Sequence, residues 1–459
     1  MLLHFAAVSV RGSAAGPRAP SGEEEGSGGY SPAASSSPRS REKTQPPPHA
    51  VFLRASFDGG GGGGNANANA NASASASSSA PSDAALAAFC LPLGADHQAP
   101  LRRMAAEEFC FALTRGNGAR VYGFCRRFLP PPPPPAPTPA GTAPTTTNSP
   151  APSSTTPRYP AVLCLLSPLP WGGLIWRALE AVEEMLVAVA ARGPPAAAPS
   201  SLPSSPSATT TLLHAQLPHA DAPVLPHLPQ NSPAYAFLAA LSARLAERPP
   251  LGSPLALGLN PPPHLPADAS NGRSASGVAL SRLLWHVRDP RALTSLLASL
   301  LLERRVVFVA RARDGVSAAA LAASALLYPF RWRHLFLPIL PRSFREYLTA
   351  PMPFVAGVPA PLLPALRGLP TERAVTVDLD KGSVTLPASA GGGEEGEAGN
   401  DDDGARLPWR EELEAALAAA LERMSSPTEH EVSGLVSAVV QGYLIRLLGG
   451  YRAFVRVGA

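Results

Sequence analysis

Lysine is almost missing from this chain of 459 residues: only Lys43 and Lys381 occur, and the other basic residues are all arginine. Arginine in place of lysine, beside runs of Ala, Pro and Gly, is what a GC-rich coding sequence produces. The formal charge of +4 is therefore compositional rather than functional. No arginine cluster is interleaved with aromatics as a nucleic-acid surface would need, so no nucleic-acid partner is expected. Cysteine is also scarce. Cys90, Cys110, Cys125 and Cys164 show no C-x-x-C pair and no His at ligand spacing, which reads as small buried hydrophobes in a reducing compartment. No metal site is expected.

Long apolar runs are missing too. The longest uncharged apolar stretch, Val316 to Phe330, is too short to span a bilayer and carries Pro329 near its end. Met1 to Val10 lacks a charged n-region and a tidy cleavage site. The expected address is cytoplasmic, with membrane contact only peripheral. The chain also lacks the apparatus of covalent chemistry: there is no G-x-S-x-G and no G-x-x-x-x-G-K-[ST]. Ser253 and Ser276 sit in linker, and Gly116-Asn117-Gly118 is too short to cradle phosphates. His286, His334 and His430 are isolated, which suits satisfied structural histidines. No catalytic residue and no cofactor are expected.

Proline and glycine are plentiful, 55 and 39 residues respectively, well above ordinary usage. With Ser and Ala they gather in five tracts, roughly 11–84, 130–158, 193–233, 249–277 and 388–406. Such sequence buries too little apolar surface to offset its ordering entropy, so the tracts read as disordered insertions. The hydrophobic share of 45% still leaves material for two lobes.

Between the tracts the periodicity changes character. MLLHFAAVSV reads as a strand. Glu107 to Leu129 reads as a hairpin about Arg115-Gly116-Asn117-Gly118, with Phe109, Phe111 and Leu113 alternating on one arm and Val121, Gly123 and Cys125 on the other. YPAVLCLLS is an apolar run fit for a central strand. From Trp171 to Arg192, Ile175, Leu179, Val182, Leu186 and Val189 recur at helical spacing. Further on, Asp289-Pro290 caps a helix through Glu303, Val306 to Ala310 is a buried strand, Gly315 turns, and Ser317 caps a helix ending near Tyr328. His334 to Leu340 reads as a strand and Ser343 to Leu348 as a short helix. Ala374 to Leu379 pairs with Ser383 to Leu386 across Asp380-Lys381-Gly382. Two closing helices follow, about 408–424 and 427–448.

These segments resemble, in order, the three parts of the tripartite DENN module. HFAAVSV, FCLPLG, FALTRGNGARVYGFCRRF and YPAVLCLLS match the upstream part. LLLERRVVFVA, LLYPFRWRHLFLPILP and APMPFVAGVP match the core. VTVDLDKGSV and LLGGYRAFV match the downstream part. Within the family the core is similar to the connecdenn-like groups.

The resemblance implies an α/β protein with an N-terminal longin-like lobe and a C-terminal α/β lobe with closing helices, interrupted by the Pro/Gly/Ser/Ala-rich loops. The divisions would be upstream 1–192, linker 193–277, core 278–365 and downstream 366–459. It also implies a guanine nucleotide exchange factor for a Rab-family small GTPase in vesicle traffic. A non-catalytic adaptor on the same fold is the alternative.

Exchange needs surface complementarity rather than covalent chemistry. Trp332, with Arg331, Arg333 and His334, is the densest aromatic and basic cluster. It is either a hot spot for the GTPase or, for Trp332, packing under the next strand. Tyr122, Phe124 and Arg126 share one face, which meets either the neighbouring helix or the GTPase, and Arg126 and Arg127 read as exposed. Glu303-Arg304-Arg305 suits a structural ion pair between elements. Tyr451-Arg452 closes the last helix. The hexaproline at 130–135 is a polyproline II candidate for an SH3 domain or profilin, or a neutral insertion. The acidic run 394–403 is a solvated loop.

Overall fold

The computed structural model describes residues 3–11, 49–57, 82–115, 117–131, 157–192, 232–246, 278–369, 373–387, 407–423 and 429–451. Most of the five compositional tracts, Gly116, residues 132–135 of the hexaproline, the acidic run and Arg452 lie outside the described residues.

The first sheet has the order β2-β1-β5-β4-β3 and every neighbouring pair is antiparallel. Its strands are β1 (Leu3–Arg11), β2 (His49–Phe57), β3 (Glu107–Thr114), β4 (Arg120–Phe128) and β5 (Ala161–Ser167). β5 is central and buried along its whole length, as its unbroken apolar run requires. β2 corrects the expectation that 11–84 is all insertion. HAVFLRASF pairs with β1 from Leu3↔Phe57 to Arg11↔His49. Averaged over the long tract, nine strand-forming residues are diluted by their Gly and Ser neighbours.

Helices cover both faces of this sheet. On one, α1 (Asp83–Cys90), whose first turn is capped by Ser82 Oγ accepting from Ala85 N at 3.3 Å, presses Leu86, Phe89 and Cys90 against Phe109, Phe111, Cys125 and Cys164. On the other, α2 (Gly172–Arg192) lays Ile175, Leu179, Val182 and Leu186 over Phe124, Leu163 and Leu165. Val189, placed inward by the periodicity, is 43% exposed. α3 (Pro233–Ala246) packs on α2 with Phe237, Leu238, Leu241 and Leu245 fully buried. α3 occupies the interval left between the tracts 193–233 and 249–277, inside the span 193–277 expected to be linker.

The second sheet has the order β10-β9-β6-β8-β7. β6 (Val306–Ala310) runs parallel to β8 (Phe354–Pro359) and β9 (Val375–Asp378), and β7 (Leu335–Leu337) parallel to β8. β10 (Ser383–Thr385) closes an antiparallel hairpin with β9. Gly382 supplies the turn's positive φ of 68°. β7 is shorter than the strand expected over 334–340. β8 is legible only in three dimensions, because Gly357 interrupts it and Pro353 and Pro359 bracket it.

Helices α4 (Ser281–His286), α5 (Pro290–Leu301), α7 (Arg410–Glu422) and α8 (Glu429–Leu448) complete this half. Asp289 Oδ1 caps α5 by accepting from Arg291 N at 3.0 Å, with Pro290 in the first turn. On α7, Leu413, Leu417 and Leu421 are buried as the periodicity requires. On α8 the buried stripe is Val432, Val436, Val440, Tyr443 and Leu444, rotated slightly from the stripe Val432, Val436, Val439, Tyr443 and Leu447 that the sequence periodicity predicts.

The helix that joins the halves is α6 (Arg313–Leu326). It contacts β3 of the first sheet and β6 and β8 of the second. Ala319, Ala320, Ala322 and Ala323 are buried along it, and side chains this small let three backbones approach one helix closely. Here the expectation of a turn at Gly315 and a cap at Ser317 fails. The helix begins at Arg313 and both residues are buried inside it. Ser317 Oγ instead accepts from Cys110 N across the seam at 3.0 Å, satisfying an edge-strand amide that a buried interface would otherwise orphan. Both hydrophobic cores draw residues from both sheets, so the halves fold as one packed body.

Candidate functional site

The seam between the sheets is held by polar side chains as well as by α6. The Glu107 carboxylate, on β3, receives Arg313 of α6 at 2.5 Å and Arg127 of β4 at 3.2 Å. Arg120, at the start of β4, reaches across the seam and donates from Nη2 to the carbonyls of Trp332 and His334. Its guanidinium carbon lies 4.7 Å from the centroid of the Phe336 ring, a cation–π geometry. Burial draws the pKa of Arg120 below its ordinary value.

Arg120 thereby pins the segment that follows α6. The chain leaves Tyr328 through Pro329 and runs without regular structure to β7. Extended backbone alternates its side chains between two directions, and the alternation holds over Arg331, Trp332 and Arg333. Trp332 is 4% exposed, with Nε1 donating to Leu335 O at 3.1 Å and its ring edge-on to His334. Arg331 and Arg333 on either side are exposed. Phe330 is 48% exposed and Tyr328 39%. The outcome is an aromatic and cationic ridge, Tyr328, Phe330, Arg331 and Arg333, on a buried tryptophan root. Of the two readings of Trp332, packing is the one observed. His334 faces Glu303 at 3.0 Å.

Arg126 and Arg127 are placed differently, and the expectation of exposure fails for both. Tyr122, Phe124 and Arg126 do share a face, but that face meets α2: the Phe124 and Trp176 rings stack edge-on with centroids 5.4 Å apart. Arg126 binds Glu183 at 2.5 Å, Glu108 at 2.7 Å and Glu180 at 3.5 Å. Burial opposes its charge, but the three carboxylates outweigh burial and raise its pKa. Arg127, 8% exposed, donates to Gln98 Oε1 at 3.1 Å as well as pairing with Glu107. Burial, then the neighbouring Arg313, lowers its pKa. Both arginines are occupied inside the molecule. Tyr451, expected to close the last helix, is 58% exposed.

All four cysteines are free and buried, as their apolar settings suggest, but three of them converge. Cys90, Cys125 and Cys164, isolated in sequence, have sulfurs all within 4.8 Å of one another and are fully buried. Burial raises the Cys125 thiol, while hydrogen bonds from Cys125 and Cys164 lower that of Cys90 to about 5. Cys110 lies on the opposite face, donating to Ser317 O at 3.7 Å, and burial pushes it up to about 12. Only tertiary structure brings three thiols from α1, β4 and β5 together.

Two interlocked α/β units carry at their seam an exposed aromatic and cationic ridge rooted on buried Trp332. Residues 158–382 match the DENN (AEX-3) domain family and residues 74–128 the uDENN domain family. The chain is 31% identical over 382 residues to mouse DENN domain-containing protein 2B, covering 81% of this chain and 27% of that relative. It is 30% identical to human DENN domain-containing protein 2B, at the same coverage. It is 27% identical over 389 residues to mouse DENN domain-containing protein 2A, covering 82% and 31%. The chain belongs to the DENN domain proteins. It spans about a third or less of the length of these three relatives. They bear on the family rather than on the connecdenn-like grouping within it. Among the described residues no helix is long and apolar enough to cross a membrane.

Proposed function

We propose that this chain is a guanine nucleotide exchange factor for a Rab-family small GTPase, binding the nucleotide-free GTPase at the seam between its two halves. The observation that carries this reading is the ridge itself. Exposed aromatic and arginine side chains on a fixed base are the composition of interface hot spots, and anchoring by Trp332 and Arg120 lowers the ordering cost of binding. Exchange then follows from linkage. Whatever the factor gains by holding the nucleotide-free GTPase more tightly than the loaded one is subtracted from the affinity for GDP. No covalent group is required.

On this reading the first sheet with α1, α2 and α3 is the longin-like lobe of an upstream part over 1–192. Residues 278–365 form the core part and 366–459 the downstream part. The protein works in the cytoplasm and reaches trafficking vesicles peripherally, through its GTPase.

The test is release of fluorescent GDP from a panel of Rab proteins. At least one is expected to lose nucleotide faster in the presence of the folded chain, and the chain to capture that Rab best when nucleotide is removed. Capture of only the GTP-loaded form, with no acceleration for any Rab, would favour the adaptor and reject exchange.

A further inference from the structure

We propose that Cys90, Cys125 and Cys164 form a three-sulfur site for a soft monovalent cation, Cu(I), which staples α1 to the first sheet. Cys125 and Cys164 are direct partners across β4 and β5. Cys90 descends on them from the last turn of α1, with its sulfur 3.9 Å from that of Cys125. A metal bonded to three sulfurs at about 2.3 Å in a plane requires sulfurs about 4 Å apart. The 3.9 Å pair and the 4.8 Å outer bound on the trio fit that requirement with small adjustment.

The ligand set selects the metal. Thiolates favour soft cations such as Cu(I) and Zn(II). Structural zinc takes four ligands in almost every case. Here, among the described residues, no His, carboxylate or further cysteine joins the three sulfurs. Phe89, Phe111, Val162 and Leu166 belong to the same buried apolar cluster, and all three cysteines are sealed from solvent, so water is not available as a fourth ligand. Cu(I) is satisfied by three sulfurs, and each thiol gives up its proton as it binds, so uptake is favoured as pH rises. Three cysteines serving only as small hydrophobes would need no such convergence. Cys110, equally buried but turned to the other face, is the internal comparison.

Because the site is sealed, the full chain is refolded anaerobically with reductant and Cu(I) supplied as its acetonitrile complex. Controls are metal-free and Zn(II) refolding. The expected result is one copper per chain after desalting and about three sulfur neighbours near 2.3 Å by X-ray absorption. A higher thermal midpoint than in the metal-free protein is also expected, since metal held only by the folded state adds to stability. C110A is expected to keep the copper, and C90A, C125A and C164A to lose it. Should a single variant fail to fold, the sulfur count of the wild-type protein and the behaviour of C110A decide. The proposal is overturned if the wild-type chain retains no copper, if C110A loses as much as C125A, or if Zn(II) is retained in preference.

Discussion

Two pairs of arginines, Arg126 with Arg127 and Arg331 with Arg333, are each flanked by aromatic residues, the first pair within β4 and the second just ahead of β7. Their fates in the structure are opposite. Arg126 is enclosed by Glu108, Glu180 and Glu183, and Arg127 by Glu107 and Gln98. Arg331 and Arg333 stay exposed on either side of buried Trp332. What separates them is the supply of carboxylates. β3 and α2 deliver four glutamates to the outer rows of β4, whereas the segment after α6 is held through its backbone carbonyls by Arg120. An arginine inside the first sheet is structural because its neighbours in space are acids. One on the seam ridge stays exposed.

The contrast can be broken most forcefully at Arg126. Arg126→Ala leaves Glu108 and Glu183 facing each other in a largely enclosed site with no cation between them. Unfolding by urea is expected to register a loss of about 3 kcal/mol, in the range for removing one partner of an enclosed ion pair. Glu180 retains Arg177 at 2.9 Å, which keeps the loss from being larger. A loss under about 0.5 kcal/mol would place Arg126 with the surface pairs instead.

Gly123→Ala is next. Gly123 faces Phe111 across the strand pair, and a Cβ there would overlap the Phe111 ring, which is stacked on Phe89 with centroids 4.8 Å apart. Overpacking of this kind costs about 1–3 kcal/mol, measured in the same way.

Ser317→Ala tests the seam. It removes the acceptor for the buried Cys110 amide, at an expected cost of about 1–2 kcal/mol. Amide hydrogen exchange at Cys110 should quicken more than at Phe124, which bonds within its own sheet.

The smallest effect on stability belongs to the double variant Arg331→Ala, Arg333→Ala, expected to stay within about 0.5 kcal/mol of the parent. If the seam ridge meets the GTPase, the same variant slows nucleotide release by roughly tenfold or more, equivalent to about 1.4 kcal/mol of lost interface. Equal release rates would move the partner surface away from this ridge.

Much of this was readable along the chain. The hairpin of β3 and β4, the central β5, the capped α5 and the strand β6 each announce themselves through a local pattern: an N-G turn, an unbroken apolar run, an Asp-Pro start. β2, α3 and β8 did not, for one shared reason. Each is a short apolar segment set among prolines and glycines, and its structure depends on a partner far away in sequence. The site divided in the same way. The aromatic and basic cluster around Trp332 was visible, whereas the carboxylates waiting for Arg126 and Arg127 were not, because Glu180 and Glu183 arrive from a helix more than fifty residues downstream. Ser317 misled because a serine near a helix start is usually a cap, and here a strand from the other half claims its hydroxyl.

By itself the sequence determined the α/β character, the order of the main elements and the family, since these rest on local periodicity and on contiguous motifs. Tertiary structure alone decided which arginines are free, that α6 joins the two sheets, and that three scattered cysteines meet. Those outcomes depend on distances between residues remote in the chain, and periodicity within one segment carries no information about what another segment will bring to it.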